Sequence, residues 1–265
     1  SRPMTRAGLG CSHGRAVRLG FWANGDNEFM AFDKPEDFYQ SYAAYKGYIT
    51  PVVKRKHVRW YDREFWTPAR CTADTSVLEL GSGTGEFLSY LKHKGISRFQ
   101  GVEQDKDAVA AMESGLESHV HVGDIWDFFD SADVDAFDRI VMLDVLEHFS
   151  PGDGVRLLGR IKGVIAPGGL VVARVPNMGS PWGGIHQFAD LTHKTAYTAK
   201  SLEQLGLAAG YKILAFVAQR RGSPFRRCAE DTMHWLLSKF LTVTPVIWTA
   251  NIIVIWESLA SDQTD

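Results

Sequence analysis

Three closely spaced glycines could bring the backbone of this chain against a ligand. Gly81, Gly83 and Gly85 follow an apolar run at positions 77–80 and precede a segment with helical periodicity. Glycine allows a turn to approach a ligand where a side chain would block it, and the N terminus of the following helix carries a partial positive charge. The pattern predicts a site for a nucleotide-like cofactor, and its alternative is a tight turn without a ligand.

Carboxylates around the glycines indicate the charge of the ligand. The dinucleotide fingerprint has a small third residue at position 86, whereas this chain has Glu86 there and Glu79 on the other side of the turn. Two carboxylates repel a pyrophosphate but attract a ligand with an ammonium and a sulfonium group, such as S-adenosylmethionine (SAM). Glu103 follows at about the 20-residue spacing expected for a carboxylate that accepts ribose hydroxyl protons. The alternative for Glu103 is a solvated loop carboxylate, because Asp105 and Asp107 come next.

Together these residues resemble the class I SAM-dependent methyltransferases. The resemblance covers about residues 76–217, with residues 252–256 as the closing strand. In that family the E-x-G-x-G-x-G turn, here Glu79 to Gly85, holds the methionine part of the cofactor, and the acid at Glu103 binds ribose. The resemblance implies that SAM is the cofactor. The implied SAM-binding residues are Glu79, Gly81, Ser82, Gly83, Gly85, Glu103, Gln104, Gly123, Asp124, Ile125 and Asp144.

Two further segments carry the resemblance. Gly123-Asp124-Ile125 is similar to the family's adenine-binding turn, in which Asp124 would accept from the exocyclic amine and Ile125 or Trp126 would pack on the ring. Residues 137–148 have the sequence F-D-R-I-V-M-L-D-V-L-E-H, which closely resembles the family pattern F-D-x-I-x-x-x-x-V-L-E-H. Ligands of doubly wound sheets bind beyond the carboxyl ends of the strands, so Asp144 to His148 should line the transfer site. The alternative for His148 is a helix-start histidine bonded to its own backbone.

A polar loop after the fifth predicted strand is the expected acceptor side of the site. Residues 180–194 contain His186, Asp190 and His193 next to aromatic residues, and Tyr197 lies close by in the sequence. Methyl transfer is an in-line displacement that requires a well-placed acceptor, and a hydroxyl acceptor also needs a base. The alternative is that Asp190 caps a turn and that the histidines are solvated. The predicted catalytic residues are His148, His186, Asp190 and His193.

The segment that begins at Asp190 also resembles a narrower group of enzymes. Its D-x-T-H-x-x-x-[FY]-T pattern is similar to that of methyltransferases found beside glycan and surface-polysaccharide biosynthesis enzymes. A sugar or glycan hydroxyl is therefore the implied acceptor, and Trp182 and Phe188 could stack on it. The alternatives are a methyltransferase that acts on a quinone, lipid or other small molecule, a non-catalytic SAM-binding protein, and a dehydrogenase.

The distribution of apolar residues predicts an α/β fold. Short apolar runs alternate with amphipathic segments from residue 75 onward, as in βαβ units with a parallel sheet. We expect a Rossmann-like, seven-stranded, mostly parallel sheet flanked by helices, with an N-terminal helical extension and an insertion between strands six and seven. The predicted strands are 76–80, 99–103, 120–122, 138–143, 170–175, 212–217 and 252–256, and the predicted helices are 85–94, 107–114, 154–164 and 201–209.

The chain divides into three predicted regions. Residues 1–35 have several glycines and no sustained period, which predicts a flexible N-terminal arm. Residues 36–75 carry aromatic side chains at helical spacing and are predicted to form a helical cap. Residues 76–265 form the predicted methyltransferase core, and its insertion at 218–250 contains an amphipathic helix.

Charge and composition limit the expected partners. A net charge of −2 excludes a general attraction to nucleic acid, so we expect a small-molecule or glycan partner. Three scattered cysteines indicate a reducing, cytoplasmic location, and the histidines show no ligand spacing, so that no metal site is predicted. Basic clusters at 54–63 and 220–227 could hold an acidic substrate or could be solvated. The C-terminal third, which includes an uncharged apolar run at 240–256, could meet a membrane surface, and the insertion helix could form a homodimer contact or a lid.

Overall fold

The alternating apolar runs fold into a seven-stranded sheet. The computed structural model describes residues 33–131 and 135–259, so that the predicted arm at 1–35 lies almost wholly outside the described residues. The strands are β1 (Val77–Leu80), β2 (Phe99–Glu103), β3 (Val120–Val122), β4 (Phe137–Leu143), β5 (Ile165–Pro176), β6 (Tyr211–Ala218) and β7 (Asn251–Ser258). Their order is β3-β2-β1-β4-β5-β7-β6, and β7 alone is antiparallel to its neighbours. The predicted fold class is confirmed.

Helices in the described part of the chain precede and flank the sheet. A 3₁₀ helix (Pro35–Ser41) leads into α1, and a π-helical turn (Asp62–Trp66) extends α2. The helices are α1 (Tyr42–Lys46), α2 (Arg55–Tyr61), α3 (Glu86–His93), α4 (Lys106–Ala110), α5 (Ile125–Asp130), α6 (Pro151–Ile161), α7 (Gly184–Gln187), α8 (Ala199–Ala208) and α9 (Pro224–Phe240).

Capping residues explain where the helices differ from the prediction. Helix α6 begins at 151 rather than 154 because the Ser150 hydroxyl accepts from the N–H of Asp153 and Pro151 occupies the first turn. Helix α5 was not predicted, and the Asp124 carboxylate caps it by accepting from the N–H of Trp126. Strand β5 begins earlier than predicted because Ile165 already pairs with Phe137 of β4.

Both faces of the sheet are buried. In β4, Ile140 and Met142 belong to the core cluster beneath α6 and α8, whereas Val141 belongs to the cluster on the opposite face with α2 and α3. Side chains of a strand alternate between faces, so a strand buried on both sides must be apolar at every position. This requirement explains the uninterrupted run at the end of β4.

The apolar run at 240–256 is divided between three elements. Helix α9 ends at Phe240, a loop follows, and the residues from Ile252 to Trp256 lie buried in β7. None of the helices in the described part of the chain is long and apolar enough to cross a membrane. The hydrophobicity of residues 252–256 thus reflects burial inside the sheet.

Candidate active site

The glycine turn joins β1 to α3 in a left-handed backbone conformation. The φ angles of Gly81, Gly83 and Gly85 are 73°, 53° and 77°, which side chains other than glycine rarely adopt. A Cβ atom at Gly81 would lie 2.5 Å from Cγ2 of Val145, the residue that follows β4 by two positions, whereas one at Gly83 would meet open space. Packing therefore requires glycine at 81, and the backbone at 83 is open to a ligand.

Glu103 lies at the end of β2 and faces the glycine turn. Its carboxylate accepts hydrogen bonds from the N–H groups of Gly83 at 2.7 Å and Asp105 at 2.8 Å. A carboxylate offers about four acceptor positions, so each oxygen can accept a further proton from a ribose hydroxyl. Burial raises the pKa of Glu103, and the backbone hydrogen bonds oppose that rise.

Glu79 provides a buried acceptor behind the turn. Its side chain lies in the core, and Oε2 has no hydrogen-bond partner among the described residues. Burial raises the pKa of Glu79 well above its usual value. An orphaned carboxylate oxygen next to an open backbone position fits a ligand with an ammonium group, because such a group would satisfy the oxygen. The residues around the turn therefore fit SAM.

The other predicted cofactor residues surround the same loops. Gly123 follows β3, and its N–H donates to the Glu103 carbonyl at 2.9 Å. This hydrogen bond attaches the turn that precedes α5 to the end of β2. Asp124 uses one carboxylate oxygen to cap α5, at 2.7 Å from the N–H of Trp126, and retains the other. Ser82 is buried, Ile125 is half-buried and Gln104 is exposed.

Asp144 is held in a strained conformation directly after β4. Its φ is 59°, which is uncommon for a residue with a side chain and occurs often at functional sites. Nε of Arg174, on β5, donates to Asp144 Oδ1 at 2.9 Å, and a second guanidinium nitrogen donates to Oδ2. Desolvation opposes ionisation although the side chain remains 45% exposed, but Arg174 outweighs it and holds the pKa of Asp144 below its usual value. Sequence reasoning missed Arg174.

A short 3₁₀ turn after Asp144 places Glu147 and His148 against the acceptor loop. The Glu147 carbonyl accepts from the N–H groups of Lys194 and Thr195, and this pairing brings His193 alongside. Nε2 of His193 lies 3.9 Å from Oε1 of Glu147, and the two histidine rings are 4.7 Å apart. The structure therefore brings together two of the predicted catalytic residues with Glu147. Sequence reasoning placed Glu147 in the segment that lines the transfer site but gave it no role of its own.

Burial shifts the pKa values of Glu147 and His148 in this cluster. The Glu147 side chain is 0% exposed, and burial followed by the negative charge of Asp144 raises its pKa well above the usual value. Burial, followed by repulsion from His193, lowers the pKa of His148 to about 4. The His148 imidazole is therefore neutral at neutral pH.

Asp190 connects the acceptor loop to α1. One carboxylate oxygen accepts from the N–H and hydroxyl of Thr192, and the other accepts from the hydroxyl of Tyr42 at 3.0 Å and pairs with Nζ of Lys46 at 3.1 Å. Burial alone would raise the pKa of Asp190, but the Thr192 hydrogen bonds and Lys46 lower it below the usual value. A carboxylate with four partners and a lowered pKa is a weak base.

Tyrosines of the N-terminal helices cover the site. Their hydroxyl groups reach the acceptor loop, the 3₁₀ turn and the loop after β2, so one segment contacts both the cofactor side and the acceptor side. The hydrogen bonds join Tyr39 to Nδ1 of His148, Tyr42 to Asp190, Tyr45 to the carbonyl of Ala189, and Tyr48 to Asp105. These contacts were not predicted from the sequence.

Within the described residues, no hydrogen bond joins the other predicted residues to the side chains of Glu147, His148 and His193. His186 is exposed on α7, and Tyr197 is buried in the core. Trp182 is partly exposed, and its Nε1 donates to Nε2 of His234 at 3.1 Å. In the basic cluster at 220–227, Arg220 pairs with Asp231 and Arg221 with the buried Glu64, so these two arginines serve internal ion pairs.

Comparison with known protein families decides the class of this chain. A family model described as a methyltransferase domain matches residues 52–215, which is more than half of the chain and includes every predicted cofactor residue. The chain belongs to this methyltransferase family. The methyltransferase uses S-adenosylmethionine as its cofactor, in agreement with the fit of the glycine turn and Glu79. No curated protein matches its sequence significantly.

Solved structures share the fold of this methyltransferase at low identity. A SAM dependent methyltransferase from Archaeoglobus fulgidus is similar with a TM-score of 0.58 and 19% identity, over 83% of this chain and 99% of that chain. A second, from Clostridium acetobutylicum, has a TM-score of 0.53 and 13% identity over 84% and 98% of the two chains. Mitomycin 7-O-methyltransferase MmcR has a TM-score of 0.51 and 16% identity over 76% and 54%.

Proposed function

We propose that this methyltransferase O-methylates a hydroxyl group of a sugar or glycan. One observation carries the proposal. Glu147, His148 and His193 converge beside the strained Asp144, and Val145 of the same segment packs on the glycine turn. The neutral imidazole of His148 and the carboxylate of Glu147, whose pKa is raised, are groups that can take a proton from a hydroxyl. An acceptor held there lies on the side of the sheet where the strands end.

The reaction requires a methyl donor and an acceptor oxygen in line. SAM supplies a methyl group on a positively charged sulfur. The acceptor oxygen forms a bond to the methyl carbon as the carbon–sulfur bond breaks, the electron pair of that bond stays on sulfur, and the hydroxyl proton leaves. Holding the two groups within about 3–3.5 Å provides much of the acceleration. Glu103 and the glycine turn orient the donor, and the acceptor loop orients the hydroxyl.

The hydrogen bonds of the two histidines define which ring nitrogen atoms keep a free lone pair. Nδ1 of His193 lies 2.9 Å from the carbonyl of Gln187, so it must carry the proton and donate. The single hydroxyl proton of Thr192 goes to Asp190, so Thr192 Oγ1 accepts from Nδ1 of His148 at 3.0 Å. The Tyr39 hydroxyl, 3.1 Å from the same nitrogen, then also accepts from it. The free lone pairs are therefore on Nε2 of both rings. A base at this position typically contributes about 10²–10⁴-fold to the rate.

Two aromatic side chains support a sugar as the acceptor. Trp182 is 37% exposed and Phe188 is 73% exposed, and both lie on the loop that carries His193. The Trp182–His234 hydrogen bond holds the indole in place at the surface. An immobilised, exposed ring is suited to stack on the apolar face of a sugar.

Cofactor binding and methyl transfer test the proposal in sequence. Calorimetry should detect binding of S-adenosylhomocysteine and no binding of NAD, and folded protein that binds neither would exclude a SAM-dependent enzyme. A transfer screen with labelled methyl groups over nucleotide sugars, polysaccharides, quinones and lipids should then label a sugar. Label that enters only a quinone or a lipid would contradict the glycan assignment.

Exposed apolar residues on and after α9 favour a second candidate, a lipid or quinone acceptor met at a membrane surface. Phe225, Phe240 and Val243 are each more than 80% exposed, and Trp235 is 60% exposed. Exposed apolar surface of this kind marks contact sites for proteins or membranes.

Sedimentation with phosphatidylcholine–phosphatidylglycerol vesicles tests the membrane contact. The protein should co-sediment, and Trp235→Ser together with Phe240→Ser should abolish co-sedimentation because apolar area that would enter the lipid is lost. Leu207→Ser on α8, which is 58% exposed, is the matched control and should leave it unchanged. Equal co-sedimentation of all three proteins would exclude this surface, and a doubled mass without vesicles would assign it to a homodimer.

A further inference from the structure

The cluster of Glu147, His148 and His193 has the geometry of a metal centre. Each residue offers one ligand atom, and the three atoms lie within 4.8 Å of one another. The residues come from two distant segments, and for this reason their spacing in the sequence predicts no metal site. They meet because the carbonyl of Glu147 binds the backbone that follows His193.

Glu147 is a buried carboxylate without a hydrogen-bond partner for its side chain among the described residues. Its side chain is fully buried, and within the described part of the chain neither carboxylate oxygen has a hydrogen bond. Arg174, whose charge acts on Glu147, is bound to Asp144. A buried carboxylate is normally paired, hydrogen-bonded or bound to a metal. Its two free oxygens therefore indicate a ligand that approaches between the histidines.

The histidines are arranged as metal ligands usually are. A ligating histidine donates its second ring N–H to a carbonyl, hydroxyl or carboxylate, which fixes the tautomer and the ring orientation. His193 donates from Nδ1 to the carbonyl of Gln187, and His148 donates from Nδ1 to Thr192, whose hydroxyl proton goes to Asp190. Both Nε2 atoms retain free lone pairs. Asp190 therefore acts through the Thr192 hydroxyl as an outer hydrogen-bond partner of His148. This role does not require Asp190 to be a strong base.

The separations match a cation bound between the side chains. The 3.9 Å between Nε2 of His193 and Oε1 of Glu147 is too long for a hydrogen bond. Metal–nitrogen and metal–oxygen bonds of about 2.0–2.2 Å place two ligands about 3.4 Å apart at a tetrahedral angle, so a shift of about half an ångström brings His193 and Glu147 to that separation. Two imidazoles and one carboxylate are preferred by first-row divalent ions such as Zn²⁺, Co²⁺ and Mn²⁺.

We infer that Glu147, His148 and His193 bind one divalent transition-metal ion, and that this ion holds the acceptor oxygen for methyl transfer. The role in transfer rests on the proposed function, whereas the binding of the ion does not. Three protein ligands leave coordination positions open. Both histidines then act as ligands through Nε2 and not as the base. An acceptor hydroxyl bound to the ion instead loses its proton to water, since a cation stabilises the alkoxide. The alkoxide oxygen then forms the bond to the methyl carbon as the carbon–sulfur bond breaks towards sulfur.

Calorimetric titration of the chelator-treated protein with ZnCl₂ and CoCl₂ tests the site. The wild-type chain should bind one ion, and Glu147→Gln and His193→Gln should each weaken binding by about 100-fold or more, because a ligand is lost. Thr192→Val preserves all three ligands and should weaken binding about 10–100-fold through the orientation of His148. His119→Gln is the control, because His119 is an exposed histidine outside the proposed site. This variant should bind the metal ion with the affinity of the wild type.

The outcomes separate this inference from the proposed function. Absence of binding by the wild type, or equal affinity in the wild type and both ligand variants, overturns the metal site. S-adenosylhomocysteine is titrated into the same samples and should bind to all of them, which also shows that each variant is folded. Metal binding as expected without any S-adenosylhomocysteine binding would overturn the proposed function and leave the metal site standing.

Discussion

At the scale of single residues, hydrogen bonds assign different roles to side chains that look alike in the sequence. Asp190 was predicted as a base, yet all its acceptor positions are used by Thr192, Tyr42 and Lys46, and its pKa is lowered. The Glu147 carboxylate has no hydrogen-bond partner among the described residues, and its pKa is raised by burial. The chemistry of each carboxylate therefore follows from its surroundings, which no local pattern of residues specifies.

The first prediction concerns the carboxylate of Glu103. Glu103→Ala removes the acceptor for the ribose hydroxyls and also the acceptor for the N–H of Gly83, which shapes the glycine turn. Hydrogen bonds to a charged group contribute about 1.5–3 kcal/mol, so the dissociation constant of S-adenosylhomocysteine should rise about 10- to 100-fold in calorimetry. Glu203→Gln on the exposed face of α8 is the control. Unchanged affinity in Glu103→Ala would refute the ribose role.

At the scale of elements, the environment of a helical glycine decides whether a methyl group helps or harms. Gly159 is exposed in α6 with nothing within 4 Å of an added Cβ, whereas Gly206 of α8 is packed directly on the indole of Trp256 in β7. Alanine restricts the unfolded chain in both cases. The folded state accommodates the methyl group only at 159.

The second prediction compares these two glycines. Gly159→Ala should raise the free energy of unfolding by about 0.5–1 kcal/mol, because alanine has the higher helix propensity. Gly206→Ala should lower it by about 1–3 kcal/mol, because Trp256 must move. Urea denaturation followed by circular dichroism measures both changes. Equal effects of the two substitutions would show that α8 does not pack on β7 as described.

At the scale of the whole molecule, the two strands at the centre of the sheet are joined at their starts. Oδ2 of Asp138 accepts from both the N–H and the hydroxyl of Ser76 at 2.7 Å, and the N–H of Asp138 donates back to Ser76 Oγ. Burial opposes the charge on Asp138, but the Ser76 hydrogen bonds outweigh it and hold its pKa below the usual value. The global stability therefore depends on the ionisation of this group.

The third prediction is the pH dependence that follows. A lowered folded-state pKa stabilises the protein above the unfolded-state value of about 3.9, and this contribution is lost as the pH falls below that value. Asp138→Ala should therefore lower the free energy of unfolding by about 1.5 kcal/mol at pH 7. The difference from the wild type should shrink below about pH 4. A difference that is constant between pH 7 and pH 3 would show that the Asp138 charge is not responsible.

The sequence predicts those features that depend on neighbouring residues. The strands, the glycine turn and the position of Glu103 follow from apolar periodicity and from local spacing, and the structure places them within a few residues of expectation. Helix α5 was missed because Asp124, assigned to adenine, also serves as its cap. The pairing of Glu147 with His193 and the tyrosine contacts of α1 depend on how distant segments pack, and a single sequence carries no periodic signal for that.

The position of the antiparallel strand β7 affects how the chain folds during its synthesis. In chain order it is the last of the described strands, yet it lies between β5 and β6, and β6 has no other neighbour in the described sheet. A chain emerging from the ribosome can assemble β1 to β5 early, but β6 must wait until Asn251–Ser258 has been synthesised. During that interval the edge of β5 is exposed to pairing with other chains. Synthesis that stops within α9 therefore yields an aggregation-prone intermediate, although every cofactor-binding residue is already present.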